Sequence, residues 1–236
     1  AWQRNELFIK ISHLDWKLVW ARTGAEVGAA IFFLSALANM PLANVTAILQ
    51  VLPLAVTMGA AIFLKETVGW RRWLAIGIGF MGVLIIVRPG MDGFSMYSIY
   101  ALAAVVCVTL RDLTTSRLSS NVPSITVALI TGIAITLFGA VMLPTTTWAA
   151  TDDSHWLILI IASIAIVFGY LFSVMAMRHG DASFIAPFRY TSMLWAIIIG
   201  VLFFNDWPDQ LTLLGTAIIM GTGIYSFHRE RVKRNF

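Results

Sequence analysis

The sequence predicts an all-α polytopic membrane protein with eight transmembrane helices, arranged as an inverted repeat of three helices followed by five. First, 59% of the 236 residues are hydrophobic and 12% are charged, whereas about a quarter of the residues in a soluble domain are charged. Second, eight apolar runs of about 18–24 residues follow one another, and each is long enough to cross a bilayer as one helix. Third, the chain matches itself when it is shifted by 140 residues.

The apolar runs are predicted to be helices, because backbone groups in lipid must be satisfied within their own segment. A closed barrel would need strands that alternate apolar and polar residues, and the runs do not alternate in this way. Residues 1–18 are mixed and basic, and we interpret them as a surface segment. Prolines or short polar turns separate most of the runs. The predicted helices span residues 19–39, 41–64, 70–87, 98–118, 123–143, 156–178, 183–204 and 210–228.

Basic residues predict the orientation, because cytoplasmic loops carry an excess of Lys and Arg. With residue 1 in the cytoplasm, the inside segments hold fourteen basic residues and the outside loops hold one, Arg88. We therefore expect a multi-pass protein of the cell inner (plasma) membrane with both ends of the chain cytoplasmic. Arg189 is left over within a predicted helix. The inside set is Arg4, Lys10, Lys17, Arg22, Lys65, Arg71, Arg72, Arg111, Arg117, Arg178, Arg229, Arg231, Lys233 and Arg234.

The shift of 140 residues predicts two repeats, at residues 1–97 and 98–236. It places Gln50 on Tyr190 and Glu66 on Asp206. The second repeat holds five predicted helices, so we expect the first to be truncated by about two N-terminal helices, with ten helices in the complete protein. An odd number of helices per repeat gives the two repeats opposite orientations. Inverted repeats are typical of secondary transporters, whose substrate site lies near the membrane midplane between the repeats.

Several short motifs of the first repeat resemble the EamA-type family of the drug/metabolite transporter superfamily. The second repeat resembles a second copy, although Met193 stands where the first has Pro53, and Asp206 stands where it has Glu66. The resemblance implies a secondary active transporter of a small organic metabolite or drug: a riboflavin-like vitamin, an amino-acid-derived solute or a metallophore, in a direction left open. The motifs are Ala36-Leu37, Pro41, Pro53, Leu64-Lys65-Glu66, Gly77, Gly79 and Gly82.

Two other classes stay open as alternatives, a non-transporting membrane subunit and an intramembrane enzyme. We expect no enzyme, no catalytic residue, no metal site and no cofactor, because all four histidines lie at or outside the ends of predicted helices. Gly77–Gly82 matches the dinucleotide fingerprint G-x-G-x-x-G, but that motif requires a preceding strand, so we interpret these glycines as helix-packing residues. The expected partners are a small-molecule substrate and the lipid bilayer, with a coupling ion or proton and a homodimer as open alternatives and no nucleic acid.

Arg189 is the central candidate for substrate binding. An arginine costs roughly 2.5–3.5 kcal/mol at the centre of a membrane helix, so it needs a partner, a cavity or an escape to the interface. Tyr190, Thr191 and Ser192 follow it and make every side of the helix polar at that level. We therefore expect Arg189, Tyr190 and Ser192 to line a cavity, with a snorkelling arginine as the alternative.

Glu26 and the pair Arg111-Asp112 are further charged residues within apolar runs. Glu26 is predicted either to pair with Arg22 one turn before it, with Arg22 held at the interface, or to be a partner of Arg189 or a protonatable coupling group. Arg111 and Asp112 point about 100° apart on a helix and are not expected to pair. For these two we favour an early helix end with both residues in solvent.

Asn44, Gln50 and Trp195 complete the predicted site. Asn44 and Gln50 lie in the predicted helix that the shift places on residues 183–204. They are predicted either to bond neighbouring helices, which contributes about 0.6 kcal/mol per contact, or to contact substrate. Trp195 is a candidate for stacking on a planar substrate, with core packing as the alternative.

Overall fold

The computed structural model describes residues 12–90, 94–119, 122–143, 153–179 and 189–234. Within these ranges the chain is helical and contains no strand, which confirms the predicted all-α class. The helices are α1 (His13–Asn39), α2 (Leu42–Leu49), α3 (Leu52–Phe63), α4 (Trp70–Val87), α5 (Met96–Ser116), α6 (Ser124–Met142), α7 (Asp153–His179), α8 (Thr191–Phe204) and α9 (Gln210–Arg234).

Six segments of the described chain are long and apolar enough to cross a membrane, with α2 and α3 together forming one of them. The helices α7 and α8 contribute shorter apolar stretches, Trp156–Phe172 and Thr191–Phe204. The protein is therefore a polytopic membrane protein, as predicted. Each of the eight predicted helices has a helical counterpart, although residues 183–188 of the seventh lie outside the described ranges.

The first helix begins earlier than predicted, at His13 instead of residue 19. The reason is an N-cap, Ser12, that the sequence analysis missed. The Asp15 backbone N–H donates to the Ser12 hydroxyl (3.1 Å), and that hydroxyl donates to the Asp15 carboxylate (2.7 Å). The first of these bonds satisfies a free N–H at the start of the helix. Residues 1–11 of the predicted surface segment lie outside the described ranges.

The predicted helix 41–64 is interrupted, and Pro53 is the cause. Proline lacks a backbone N–H, and its ring clashes with the carbonyl four residues earlier, here that of Leu49. Accordingly α2 ends at Leu49, and α3 begins at Leu52 with Pro53 in its first turn. The turn residues Gln50 and Val51 keep near-helical backbone angles. The two helices therefore form one span with a break in its hydrogen-bond ladder.

The described chain falls into two compact units. Unit 1 comprises residues 1–27 and 114–180, and unit 2 comprises residues 28–113 and 181–236. Each unit therefore contains segments from both halves of the chain. The division into repeats at residues 97 and 98 is a division of the sequence, and it stays a prediction.

The core of unit 2 forms where α2, α3, α4, α8 and α9 pack together. Ile48, Met193 and Ile219 are among its buried side chains. The closest approach joins α4 to α9: a Cβ at Gly82 would lie 2.9 Å from the Gly215 carbonyl oxygen, and one at Gly215 would lie 2.6 Å from the Gly82 carbonyl oxygen. Glycine at both positions lets the two backbones meet.

The packing role predicted for the glycines of α4 is confirmed at two of three positions. Gly82 meets α9, as described, and a Cβ at Gly79 would lie 3.0 Å from the Thr222 hydroxyl oxygen. At Gly77 the prediction is wrong, because that residue is exposed and a Cβ there would meet nothing within 4 Å.

Unit 1 has a smaller core. Val19, Leu118, Val122 and Val127 are buried against one another, and α6 packs against α7. The buried Asp15 carboxylate accepts hydrogen bonds from the Ser119 backbone N–H (3.0 Å) and hydroxyl (2.9 Å). Asp15, in the first turn of α1, thereby also makes a tertiary contact within this unit.

Candidate functional site

A cluster of three charged residues, Arg111, Asp112 and Arg189, lies in unit 2. Asp112 of α5 is 3% exposed, and its two carboxylate oxygens bind different arginines. Oδ2 accepts a hydrogen bond from Arg189 Nη2 (2.7 Å). Oδ1 accepts hydrogen bonds from Arg111 Nε (3.0 Å) and lies 2.9 Å from Arg111 Nη2. With ordinary charges the cluster carries one net positive charge.

Two predictions about this cluster are wrong. Asp112 does not lie in solvent beyond an early helix end, because α5 continues to Ser116 and buries the carboxylate. Arg111 and Asp112 do pair, although their Cα–Cβ bonds diverge on the helix, because the arginine side chain is long enough to fold back. Arg111 and Asp112 are thus the members of the site that sequence reasoning missed. Their signal was an adjacent pair of opposite charges inside an apolar run.

Arg189 does not lie within a regular α-helix of the described chain. It forms a short 3₁₀ turn with Tyr190, and α8 begins at Thr191. Its guanidinium is held by Asp112, and 26% of its side-chain surface is exposed.

A hydrogen bond joins the interrupted span to the start of α8. Gln50, at the break caused by Pro53, is 2% exposed. Its amide nitrogen donates to the Ser192 hydroxyl (3.1 Å), which donates to the Arg189 backbone carbonyl (2.6 Å). Gln50 and Ser192 are therefore brought together with Arg189, as members of one polar cluster in unit 2.

Tyr190 and Asn44 both contact α9. Tyr190 is 4% exposed, and its hydroxyl has no hydrogen-bond partner among the described residues. Its ring packs on α9 at Gly223, where an added Cβ would lie 2.7 Å from Tyr190 Cζ. Asn44 Oδ1 accepts a hydrogen bond from the Thr212 hydroxyl (3.3 Å), so Asn44 bonds α2 to α9. This is the helix–helix role that the sequence left open for Asn44.

Glu26 and Trp195 are placed differently. Trp195 lies on the outer side of α8, with 63% of its surface exposed. Glu26 is half-buried in unit 1. Arg22 is 2% exposed and hydrogen-bonded inside unit 1. Its depth relative to the membrane interface stays a prediction.

Chemically, the unit 2 cluster provides hydrogen-bond donors and acceptors and a residual positive charge within apolar surroundings. Among the described residues, no group of three or more His, Cys, Asp and Glu side chains is arranged to hold a metal ion. Such an arrangement can bind a polar or anionic organic group and orient it by hydrogen bonds.

Comparison with known proteins identifies similar chains. The model of the EamA-like transporter family matches residues 5–88 and again residues 95–226. An S-adenosylmethionine uptake transporter of Rickettsia conorii is 23% identical over 195 residues, which cover 83% of this chain and 66% of the relative. A riboflavin transporter of Vibrio cholerae is 28% identical over 196 residues, with the same two coverages of 83% and 66%.

A third relative, a pseudopaline exporter of Pseudomonas aeruginosa, is 26% identical over 199 residues, which cover 80% of this chain and 67% of the relative. The chain thus spans about two thirds of the length of these three relatives. One solved crystal structure superposes with a TM-score of 0.64 at 19% identity, covering 89% of this chain and 75% of the other. That similarity concerns the fold.

Proposed function

We propose that this chain, which belongs to the EamA-like transporter family, acts as a secondary active transporter that moves a small organic metabolite or drug by alternating access. The observation that carries the proposal is the buried Asp112 carboxylate with its two arginines, one next to it on α5 and one in the turn before α8. Ionisable groups at membrane depth are expensive and mark substrate or ion pathways. The relatives, named as carriers of S-adenosylmethionine, riboflavin and pseudopaline, support the same class.

The interrupted span supports the proposal as well. Binding sites of secondary transporters are typically built where a membrane helix is broken, because the break frees backbone groups and admits polar side chains. Here the break lies at Gln50 and Val51, and α8 begins at Thr191. These positions correspond under the shift of 140 residues, since residue 191 falls on residue 51.

Each site residue then has a proposed role. Arg189, whose side chain is 26% exposed, contacts an anionic or carboxylate-bearing group of the solute. The polar edges of the solute exchange hydrogen bonds with Gln50, Ser192 and Tyr190. Asn44 holds the first turn of α2 against α9 through Thr212. Trp195 stacks on a planar part of the solute, and Glu26 is a protonatable coupling group.

The test is solute flux into proteoliposomes that contain the protein at its natural length. Radiolabelled riboflavin, S-adenosylmethionine and amino acids form the first panel. We expect flux of at least one solute and a loss of about tenfold or more in Arg189→Ala and Gln50→Leu, because a lost charged or buried hydrogen bond contributes on the order of 1.5–3 kcal/mol. Gly77→Ala is the matched control, since a Cβ there meets nothing within 4 Å. Flux unchanged in Arg189→Ala would remove that residue from the mechanism.

The same assay separates the alternative classes. A non-transporting subunit gives no flux above empty liposomes. An intramembrane enzyme returns a chemically altered solute, which mass spectrometry of the lumen detects, whereas we expect the solute unaltered. Trp195→Ala tests the stacking role directly. Because Trp195 is largely exposed, it is the residue whose replacement we expect to reduce flux least.

We further propose that the protein resides in the inner (plasma) membrane with both ends of the chain in the cytoplasm. The support is that fourteen basic residues lie in the predicted inside segments and one, Arg88, lies in the predicted outside loops. Single cysteines introduced at Arg88 and at Arg117, in a Cys107→Ser background, should react with an impermeant maleimide in intact cells only at position 88. Flux measured with and without a proton gradient tests coupling, and chemical crosslinking in the membrane tests for a homodimer.

A further inference from the structure

Arg22 is a buried cation whose described partners are all neutral. Its guanidinium donates to the Thr115 hydroxyl through Nε (2.8 Å) and to the Thr131 hydroxyl through Nη1 (2.7 Å). The Tyr170 ring lies against it, with 5.4 Å from Arg22 Cζ to the ring centroid. All four residues belong to unit 1. Within the described ranges, no carboxylate forms an ion pair with Arg22.

These contacts hold the guanidinium in place. The Thr131 hydroxyl donates to the Val127 backbone carbonyl (3.0 Å), so its oxygen is oriented to accept from Arg22. With Nε and Nη1 bonded inside the unit and 2% of the residue exposed, the side chain does not extend to the lipid headgroups. The snorkelling explanation, which serves for many arginines near helix ends, therefore does not apply.

Neutral partners compensate such a charge only partly. The cost of burying an ion remains large after the protein relaxes, and a cation–π contact offsets only part of it. A fixed, desolvated guanidinium is also the group that proteins use to bind carboxylates and phosphates. Among the described residues no carboxylate contacts Arg22 directly, so we infer that a ligand supplies this contact.

We propose that Arg22, oriented by Thr115, Thr131 and Tyr170, is the centre of a second binding site, which takes the carboxylate or phosphate group of a small anionic solute. The site is built in unit 1 and does not use the Arg189 cluster. Glu26 lies one turn further along α1 and interacts electrostatically with Tyr170. Its carboxylate would repel an incoming anion, so it sets the affinity of the site.

The test is thermal unfolding of the full-length protein in detergent, followed by tryptophan fluorescence. Sodium acetate and sodium phosphate are titrated, with acetamide at equal ionic strength as the neutral counterpart of acetate. We expect at least one of the two anions to raise the Tm by about 2–4 °C near tenfold its Kd, since ligands that bind only the folded state stabilise it, and acetamide to leave it unchanged. Arg22→Gln should lose the part of the shift that this site contributes, and that part should persist in Arg189→Gln.

Two further variants keep the test decisive where Arg22→Gln does not yield folded protein. Thr131→Val removes one orienting hydroxyl and should weaken the anion-dependent shift, and Glu26→Gln should strengthen it. An equal shift in wild type and Arg22→Gln would overturn the proposal, as would no shift with either anion. A shift with phosphatidylglycerol but with neither soluble anion would assign Arg22 to a lipid headgroup and would also overturn it. Because binding is measured in detergent, the outcome does not depend on transport.

Discussion

The Asp112 carboxylate and the Arg189 guanidinium form an ion pair, with 2.7 Å from Oδ2 to Nη2, although 77 positions separate them in the sequence. The pair joins α5 to the turn that precedes α8, and Arg111 binds the other carboxylate oxygen. Because one carboxylate serves two arginines, any change in Asp112 acts on both of them.

Asp112→Asn should therefore be more harmful than the loss of either arginine. It removes the carboxylate that both arginines share, and removing one partner of a buried pair costs about 3–5 kcal/mol. Since Arg189 is 26% exposed, we expect a loss of roughly 3 kcal/mol in the free energy of unfolding, measured as a lower Tm in detergent. The double variant Asp112→Asn/Arg189→Gln should recover part of that loss. A double variant that is less stable than both single variants would contradict the pairing.

Pro53→Ala should stabilise the protein and reduce its flux. An alanine at position 53 supplies the N–H that the Leu49 carbonyl lacks, so α2 and α3 can join into a continuous helix. One net hydrogen bond contributes about 1 kcal/mol, equivalent to about 2–4 °C in Tm for a chain of this size. The regular helix would move Gln50 away from Ser192, to which it donates at 3.1 Å, and flux should fall.

Pro123→Ala is the matched control for that variant. Pro123 precedes α6 as its N-cap and interrupts no helix, so its replacement should leave flux unchanged. A Pro53→Ala protein with wild-type flux would show that the break is structural and not part of the transport site.

The contrast between Pro53 and Asp112 shows how far the sequence alone can lead. An apolar run that crosses a bilayer can satisfy its own backbone hydrogen bonds only as a helix, so the helices could be predicted. The break at Pro53 follows from the missing N–H and the ring of that one residue. The partners of Asp112 and Arg22 lie up to 109 positions away. A charge inside an apolar run shows that some partner is needed, but the partner is chosen by tertiary packing.

Gly215→Ala should destabilise the contact between α4 and α9. The new Cβ would lie 2.6 Å from the Gly82 carbonyl oxygen, and backbone on the facing helix cannot move aside as a side chain can. Overpacking of this kind costs about 1–3 kcal/mol. Gly221→Ala, on the same helix with nothing within 4 Å of its Cβ, should be neutral or stabilising by up to about 1 kcal/mol. Equal Tm values for the two variants would contradict the close packing.

The Arg88–Asp209 pair should make stability depend on pH in the acid range. Arg88 lies just after α4 and Asp209 just before α9, outside the spanning segments. The Asp209 carboxylate accepts from Arg88 and from the Thr212 backbone N–H (2.8 Å), which caps α9. Partial burial raises the pKa of Asp209, but the hydrogen bonds from Arg88 and Thr212 outweigh it and hold the pKa below its ordinary value of 3.8.

A carboxyl whose pKa is lower in the folded state favours folding at any pH above its unfolded-state pKa, and this contribution is lost as the pH falls through the folded-state value. The Tm of the wild type should therefore exceed that of Asp209→Asn at neutral pH, and the difference should close as the pH falls below 3.8. Asparagine keeps the capping oxygen for Thr212, so the comparison isolates the charge. Arg88→Gln should remove much of the same pH-dependent difference, because it deletes the other member of the pair. Equal Tm values for the wild type and Asp209→Asn at neutral pH would show that Asp209 acts only as a cap.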